Sequence, residues 1–181
     1  MKKLVTTRYS ECKYSAFISY SLADDTLSNF WISNFRKDFE VLLKAKLNRQ
    51  ENGARPLHLS KEQPVVGGDL SKELHERIKQ SFCMMIMVYE DYVESDWCLK
   101  ELDYFKELFS DFGLEHRLYL LVLSEKSKQL VHAHKRLQDK ILKDQVWVDC
   151  FYSPDDEPYY PYLDDGITKK ASLRQTIEKI A

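Results

Sequence analysis

Short apolar runs alternate along the chain with longer stretches whose apolar residues recur every three or four positions. That alternation predicts strands and helices in turn, and so an α/β fold. Residues 14–20, YSAFISY, form the first expected strand. Trp31, Phe35, Phe39, Leu42 and Leu43 then recur at helical spacing, which predicts one helix over 26–47. Asn52-Gly53 closes that unit, and 55–59 supply a short second strand. A polar loop over 60–69 carries Pro64 and the adjacent glycines Gly67 and Gly68, and leads to a helix capped by Asp69 or Ser71 and ending near Gln80. Residues 82–88, FCMMIMV, are apolar without a break, as in a parallel-sheet strand buried on both faces.

Ser95 or Asp96 can cap the next helix. Its inward side is read as Cys98, Leu102, Phe105 and Phe109, again at helical spacing. Two further strands are expected at 117–123 and 146–148, joined by a basic helical connection over 126–143. Residues 151–166 are rich in Tyr, Pro and Asp, with too many aromatics for a disordered tail, so they are read as an ordered irregular loop. A closing helix is expected over 169–181. With no internal repeat and no dividing linker, the organisation is an extension at 1–12, one domain over 13–150, and 151–181 packed on that same domain.

At 181 residues the chain can bury a substantial core as one domain. Hydrophobic residues at 44% and charged residues at 31% fit a globular protein and exclude a disordered one. The net charge of −2, with basic residues scattered, gives no stripe for nucleic acid. No apolar run is long enough to span a membrane, and the charged start lacks the apolar core of a signal peptide. A cytoplasmic location is the expectation. Cys12, Cys83, Cys98 and Cys150 are far apart and contain no Cys-x-x-Cys pair, so they are read as reduced thiols used for packing. His132 and His134 would point different ways on a helix with no third ligand nearby, and the acidic clusters at 155–157 and 164–165 lack calcium-loop spacing, so no metal site is expected.

The chemistry-bearing stretch is Trp97-Cys98-Leu99-Lys100-Glu101. Trp97 and Glu101 are four residues apart and share one helical face, just beyond a buried strand. An aromatic plane beside a carboxylate can hold a base or sugar against an anion. Each residue also has a structural reading. Glu101 fits an ordinary glutamate near a helix start, where negative charge complements the dipole, and Trp97 fits a core anchor. Spacing alone does not separate the two.

YSAFISYS at 14–21, followed by Asp24-Asp25, resembles the first box of Toll/interleukin-1 receptor (TIR) domains. YVESDWCLKEL at 92–102 resembles the Ser-x-Trp-Cys-x-x-Glu-Leu box of plant and bacterial TIR domains. The Pro/Gly loop, the helix to Gln80 and the strand at 82–88 lie between them in TIR order, so the resemblance covers about 13–150. It implies a flavodoxin-like three-layer fold around a five-stranded parallel sheet in the order 2-1-3-4-5. Ligands of such sheets bind outside the carboxyl ends of the strands, where the order reverses. Here that is between the first and third strands, which deliver Tyr20-Ser21 on one side and the loop at 90–96 on the other.

Many bacterial and plant TIR domains cleave the nicotinamide–ribose bond of NAD+. The resemblance implies an NAD+ nucleosidase or ADP-ribosyl cyclase, with Glu101 at the family's catalytic glutamate. Trp97 would stack on a substrate ring. Tyr20 would line the crevice or only pack. Ser21 would bond ribose or phosphate, or only end the strand. Asp24 and Asp25 read as helix N-caps rather than ligands. NAD+ is then the substrate, and no cofactor or metal is called for. The loop with Pro64, Gly67 and Gly68 stands at the family's BB loop, which implies self-association with other TIR subunits. Its separated Pro and Gly depart from the commoner Pro-Gly. The chain is similar to the stand-alone TIR enzymes of Thoeris-type antiphage defence, whose ADP-ribose-derived signal activates a separate effector. Simple NAD+ depletion is the other outcome. Two alternatives stand beside the enzyme: a non-catalytic TIR–TIR adaptor, and the effector module of a larger sensor switched on by filament assembly.

Overall fold

The computed structural model describes residues 8–28, 30–47, 53–60, 71–109, 114–138 and 146–150. Five strands form one sheet: β1 (Tyr14–Ser19), β2 (Leu57–Leu59), β3 (Ser81–Val88), β4 (Leu118–Val122) and β5 (Val146–Asp149). All pairings are parallel and the order is β2-β1-β3-β4-β5, as the resemblance implied. The connections carry α1 (Leu22–Leu27), α2 (Trp31–Leu47), α3 (Lys72–Lys79), α4 (Asp96–Leu108), α5 (Glu125–Ala133) and α6 (Lys135–Gln138).

Strand alternation divides the core into two halves. Ile18, Met85, Met87 and Leu121 pack with Trp31, Ile32, Phe35 and Phe39 of α2. Phe17, Met84, Ile86 and Val88 pack on the other face with Leu74 and Ile78 of α3 and Leu102 and Phe105 of α4. Burial on both faces is why β3 reads as one unbroken apolar run. The expected inward side of α4 is observed: Cys98, Leu102, Phe105 and Phe109 are all buried. Truncating a fully buried Phe such as Phe105 to Ala costs about 3–5 kcal/mol.

Local details correct three expectations. The single helix over 26–47 is two helices, α1 and α2, separated by a turn through Phe30 with φ 62. The turn is held by the Asp25 carboxylate, which accepts the Ser33 N–H at 3.0 Å and the Ser33 hydroxyl at 2.6 Å. Asp25 thus caps α2 from outside its first turn. Strand β2 is shorter than the expected 55–59. The connection after β4 breaks at His134 into α5 and α6. Ser71 is the N-cap of α3, its hydroxyl accepting the Leu74 N–H at 3.1 Å. The loop residues Pro64, Gly67 and Gly68, the start of the 1–12 extension and the expected closing helix lie outside the described residues. Among the described residues, no helix is long and apolar enough to cross a membrane.

Candidate active site at the carboxyl ends of β1 and β2

The site is built by register. Ile18 of β1 pairs with Leu59 of β2, and the Ser60 N–H donates to the Ile18 carbonyl at 3.0 Å. Ser19 and Ser60 are therefore brought side by side at the carboxyl ends of adjacent strands. Ser19 shares the parity of Phe17 and faces α4. That helix starts where Ser95 caps it, its hydroxyl accepting the Cys98 N–H at 3.4 Å. One turn further, Glu101 lies on the buried side of α4 and is 0% exposed.

Both oxygens of Glu101 are held. The Ser19 hydroxyl donates to Oε2 at 2.6 Å and the Ser60 hydroxyl donates to Oε1 at 2.5 Å. The Tyr92 hydroxyl lies 3.1 Å from Ser19 Oγ and 3.5 Å from the Cys98 carbonyl. A carboxylate is costly to bury unless its oxygens are hydrogen-bonded, and charge-assisted O–H donors are the strong kind. Burial and the charge of Glu101 together push the Cys98 thiol well up, so Cys98 packs as a neutral group and is no nucleophile.

A second buried carboxylate fixes the loop that leads into α4. Asp24, 0% exposed, accepts the Asp91 N–H at 2.7 Å and the Tyr92 N–H at 2.9 Å. Burial pushes its carboxyl up to about 7, against the pull of those two N–H groups and helped by the charges of Asp91 and Glu90. It does not cap the following helix, as the sequence reading had it. It joins α1 to the β3–α4 loop across the strand-order reversal. Ser21 works beside it: its hydroxyl donates to Asp91 at 2.5 Å, and its oxygen accepts the Ala23 N–H at 3.2 Å as the N-cap of α1. Lys126 of α5 pairs with Glu90 of the same loop at 2.8 Å.

The other expected site residues are placed as follows. Tyr20 is 5% exposed and packs on the α2 side of the sheet, the face opposite α4. Burial, then the charges of Asp25, Glu101 and Cys98, push its phenol up to about 12. Trp97 is half-buried and packs against the cluster on the α4 side. Its indole Nε1 is buried with no hydrogen-bond partner among the described residues. Part of the ring therefore anchors the helix and part faces outward. Among the described residues no group of three or more His, Cys, Asp or Glu is placed to hold a metal ion.

Sequence reasoning named Glu101 and Trp97 but passed over Ser19, Ser60 and Tyr92, and gave Asp24 the wrong partner. The signal available was that Ser19 and Ser60 are polar residues at the carboxyl ends of two apolar strands. Their meeting depends on a pairing that no local pattern encodes.

The family model described as TIR domain matches residues 17–160, well over half of the chain. No curated protein sequence matches the chain significantly. Among solved structures, the TIR domains of the activated Roq1 resistosome, which directly recognises the pathogen effector XopQ, share 16% identity with it. That match covers 92% of this chain and 82% of the other, with a TM-score of 0.48. On the extent of the family match, the chain belongs to the TIR-domain family.

Proposed function

We propose that the chain is an NAD+ glycohydrolase or ADP-ribosyl cyclase in which Glu101 meets the ribose. The reading is carried by one observation. A buried carboxylate, with a serine hydroxyl on each oxygen, stands at the carboxyl end of the sheet beside the point where the strand order reverses. The chemistry needs little else. The C1′–N bond breaks with its electrons going to the pyridinium nitrogen, so nicotinamide leaves as a neutral molecule and no general acid is required. The carboxylate stabilises the oxocarbenium-like sugar by charge, or attacks the anomeric carbon as in a retaining glycosidase. Water then completes hydrolysis and releases a proton, or a nucleophile within the ADP-ribose closes a ring. The exposed part of Trp97 offers a ring face to the substrate. Glu101 has no contact with solvent in this conformation, so the ribose reaches it only after a covering group moves.

The wider role that goes with this reading is antiphage immune signalling in the cytoplasm, through an ADP-ribose-derived product or through loss of NAD+. Self-association through the 60–69 loop would accompany it. A second reading has an observation of its own. The complete burial of Glu101 also fits a non-catalytic TIR scaffold, in which the carboxylate only ties α4 to the sheet. Nicotinamide release from NAD+ by purified protein separates the two, followed over a wide dilution series with mass analysis of the ribosyl product. Release identifies the enzyme, and product mass distinguishes hydrolysis from cyclisation. Specific activity that climbs with protein concentration marks an assembly-dependent site. No release at any concentration leaves the scaffold.

A further inference from the structure

We infer that Ser60 is a positioning residue for Glu101, setting the plane of its carboxylate without touching substrate. The inference rests on the NAD+-cleaving reading of that site. The last torsion of a glutamate is broad and lets the carboxylate turn almost freely. Here groups from separate parts of the fold hold it. The α4 backbone holds the stem, Ser19 of β1 holds Oε2, and Ser60 at the end of β2 holds Oε1.

The two serines are not equivalent. An ionised carboxylate only accepts, so each serine spends its one proton on Glu101. Ser19 Oγ also has the Tyr92 hydroxyl at 3.1 Å, and that phenol is the group left to donate to it. Losing Ser19 would therefore disturb Tyr92 and the α4 entry as well. Ser60 has a simpler place. It is 4% exposed, its backbone is pinned to β1 through the Ile18 carbonyl, and its hydroxyl reaches Glu101 directly. Removing that hydroxyl takes away one of the bonds that orient Glu101 and leaves the Ser19 bond in place. The plane of the carboxylate is then less tightly fixed. A charge that must face a developing oxocarbenium loses effect when its direction is no longer fixed.

The test compares Ser60→Ala and Ser60→Thr with the unaltered chain, and uses Ser15→Ala as a control for general destabilisation. Two quantities are read: kcat and KM for nicotinamide release from NAD+, and the 13C resonance of the Glu101 side-chain carboxyl. A hydrogen bond to a charged group corresponds to a fall in kcat of about tenfold or more in Ser60→Ala. KM should stay within about twofold, since no substrate contact is lost. The Glu101 resonance should move in Ser60→Ala and return in Ser60→Thr, which keeps the hydroxyl. Ser15→Ala should leave both readouts in place. A Glu101 resonance identical in the unaltered chain and Ser60→Ala overturns the inference, as does a rise in KM with kcat unchanged. If no form cleaves NAD+, the enzymatic reading fails by itself, and the resonance still decides whether Ser60 orients Glu101.

Discussion

The two ends of β1 use the same side chain against different partners. Ser15 and Ser19 are both buried hydroxyls, four residues apart on one strand. At the amino end, Ser15 donates to the Arg55 carbonyl at 2.8 Å, accepts the Arg55 N–H at 3.0 Å, and lies 2.8 Å from the Tyr9 hydroxyl. These are neutral partners, and they join the chain entering β2 to the start of β1. At the carboxyl end, Ser19 donates to Glu101, with Asp24 buried on the far side of Tyr92. The amino end shows that this fold can satisfy the polar groups of a strand end with backbone and uncharged side chains alone. Burying two carboxylates at the other end is therefore not something the sheet needs. Replacing buried charge by neutral or apolar groups is often stabilising. Asp24 ties the β3–α4 loop in place, whereas Glu101, held by two hydroxyls at the carboxyl end where ligands of such sheets bind, is the carboxylate that the proposed chemistry would use.

The largest expected effect is at Glu101. Glu101→Gln keeps the shape and can still bond both serines, so the fold should survive while NAD+ cleavage falls by about 10³-fold or more. Ser15→Ala should do the reverse. It removes the hydroxyl that donates to the Arg55 carbonyl and leaves the Arg55 N–H only the Tyr9 hydroxyl at 3.2 Å, so urea unfolding should show about 1–3 kcal/mol lost, with kcat unchanged. If Ser15→Ala lowered kcat as much as Ser60→Ala does, the division between the two ends would fail. Trp97→Ala comes next. Loss of a stacking face should raise KM for NAD+ by about tenfold. An unchanged KM would leave Trp97 as a helix anchor only.

The smallest net effect concerns pH, because buried Asp24 and half-buried His58 oppose each other. Asp24 has its carboxyl raised from 3.8 to about 7, chiefly by burial. The folded state then binds the extra proton, so its contribution is present below pH 4 and is lost as pH rises towards 7. His58 is lowered from 6.5 to about 4 by burial and then by the charges of Arg77 and Arg36. Its contribution is present above pH 6.5 and is lost as pH falls towards 4. The windows overlap with opposite sign, so stability of the unaltered chain should vary little from these groups between pH 4 and 7. Asp24→Asn should uncover the His58 slope, with urea midpoints rising from pH 4.5 to pH 7. His58→Gln should uncover the opposite slope. Two variants with the same slope would contradict the assignment.

Much of the fold was legible because its signals are local. The apolar run of β3, the caps Ser71 and Ser95, and the inward side of α4 are all set by near neighbours. The break between α1 and α2 was hidden, because the apolar spacing of α2 reports which face is buried and says nothing of a turn just before it. The carboxylate that caps α2 belongs to Asp25, which lies outside that helix altogether. The site divided in the same way. Trp97 and Glu101 are one turn apart and declared themselves as a pair. Ser60 reaches Glu101 across 41 positions and Asp24 reaches Tyr92 across 68, so both contacts exist only once strand order and register are known. Ser21 was read as either a ligand group or a strand end, and it caps α1 and bonds Asp91.

The most direct measurement is nicotinamide release from NAD+ by the unaltered chain, Glu101→Gln and Ser15→Ala, each with its urea unfolding midpoint. The account predicts that Glu101→Gln loses release and keeps its midpoint, while Ser15→Ala keeps release and loses stability. Release that persists in Glu101→Gln, or that is absent from all three folded proteins, would contradict it.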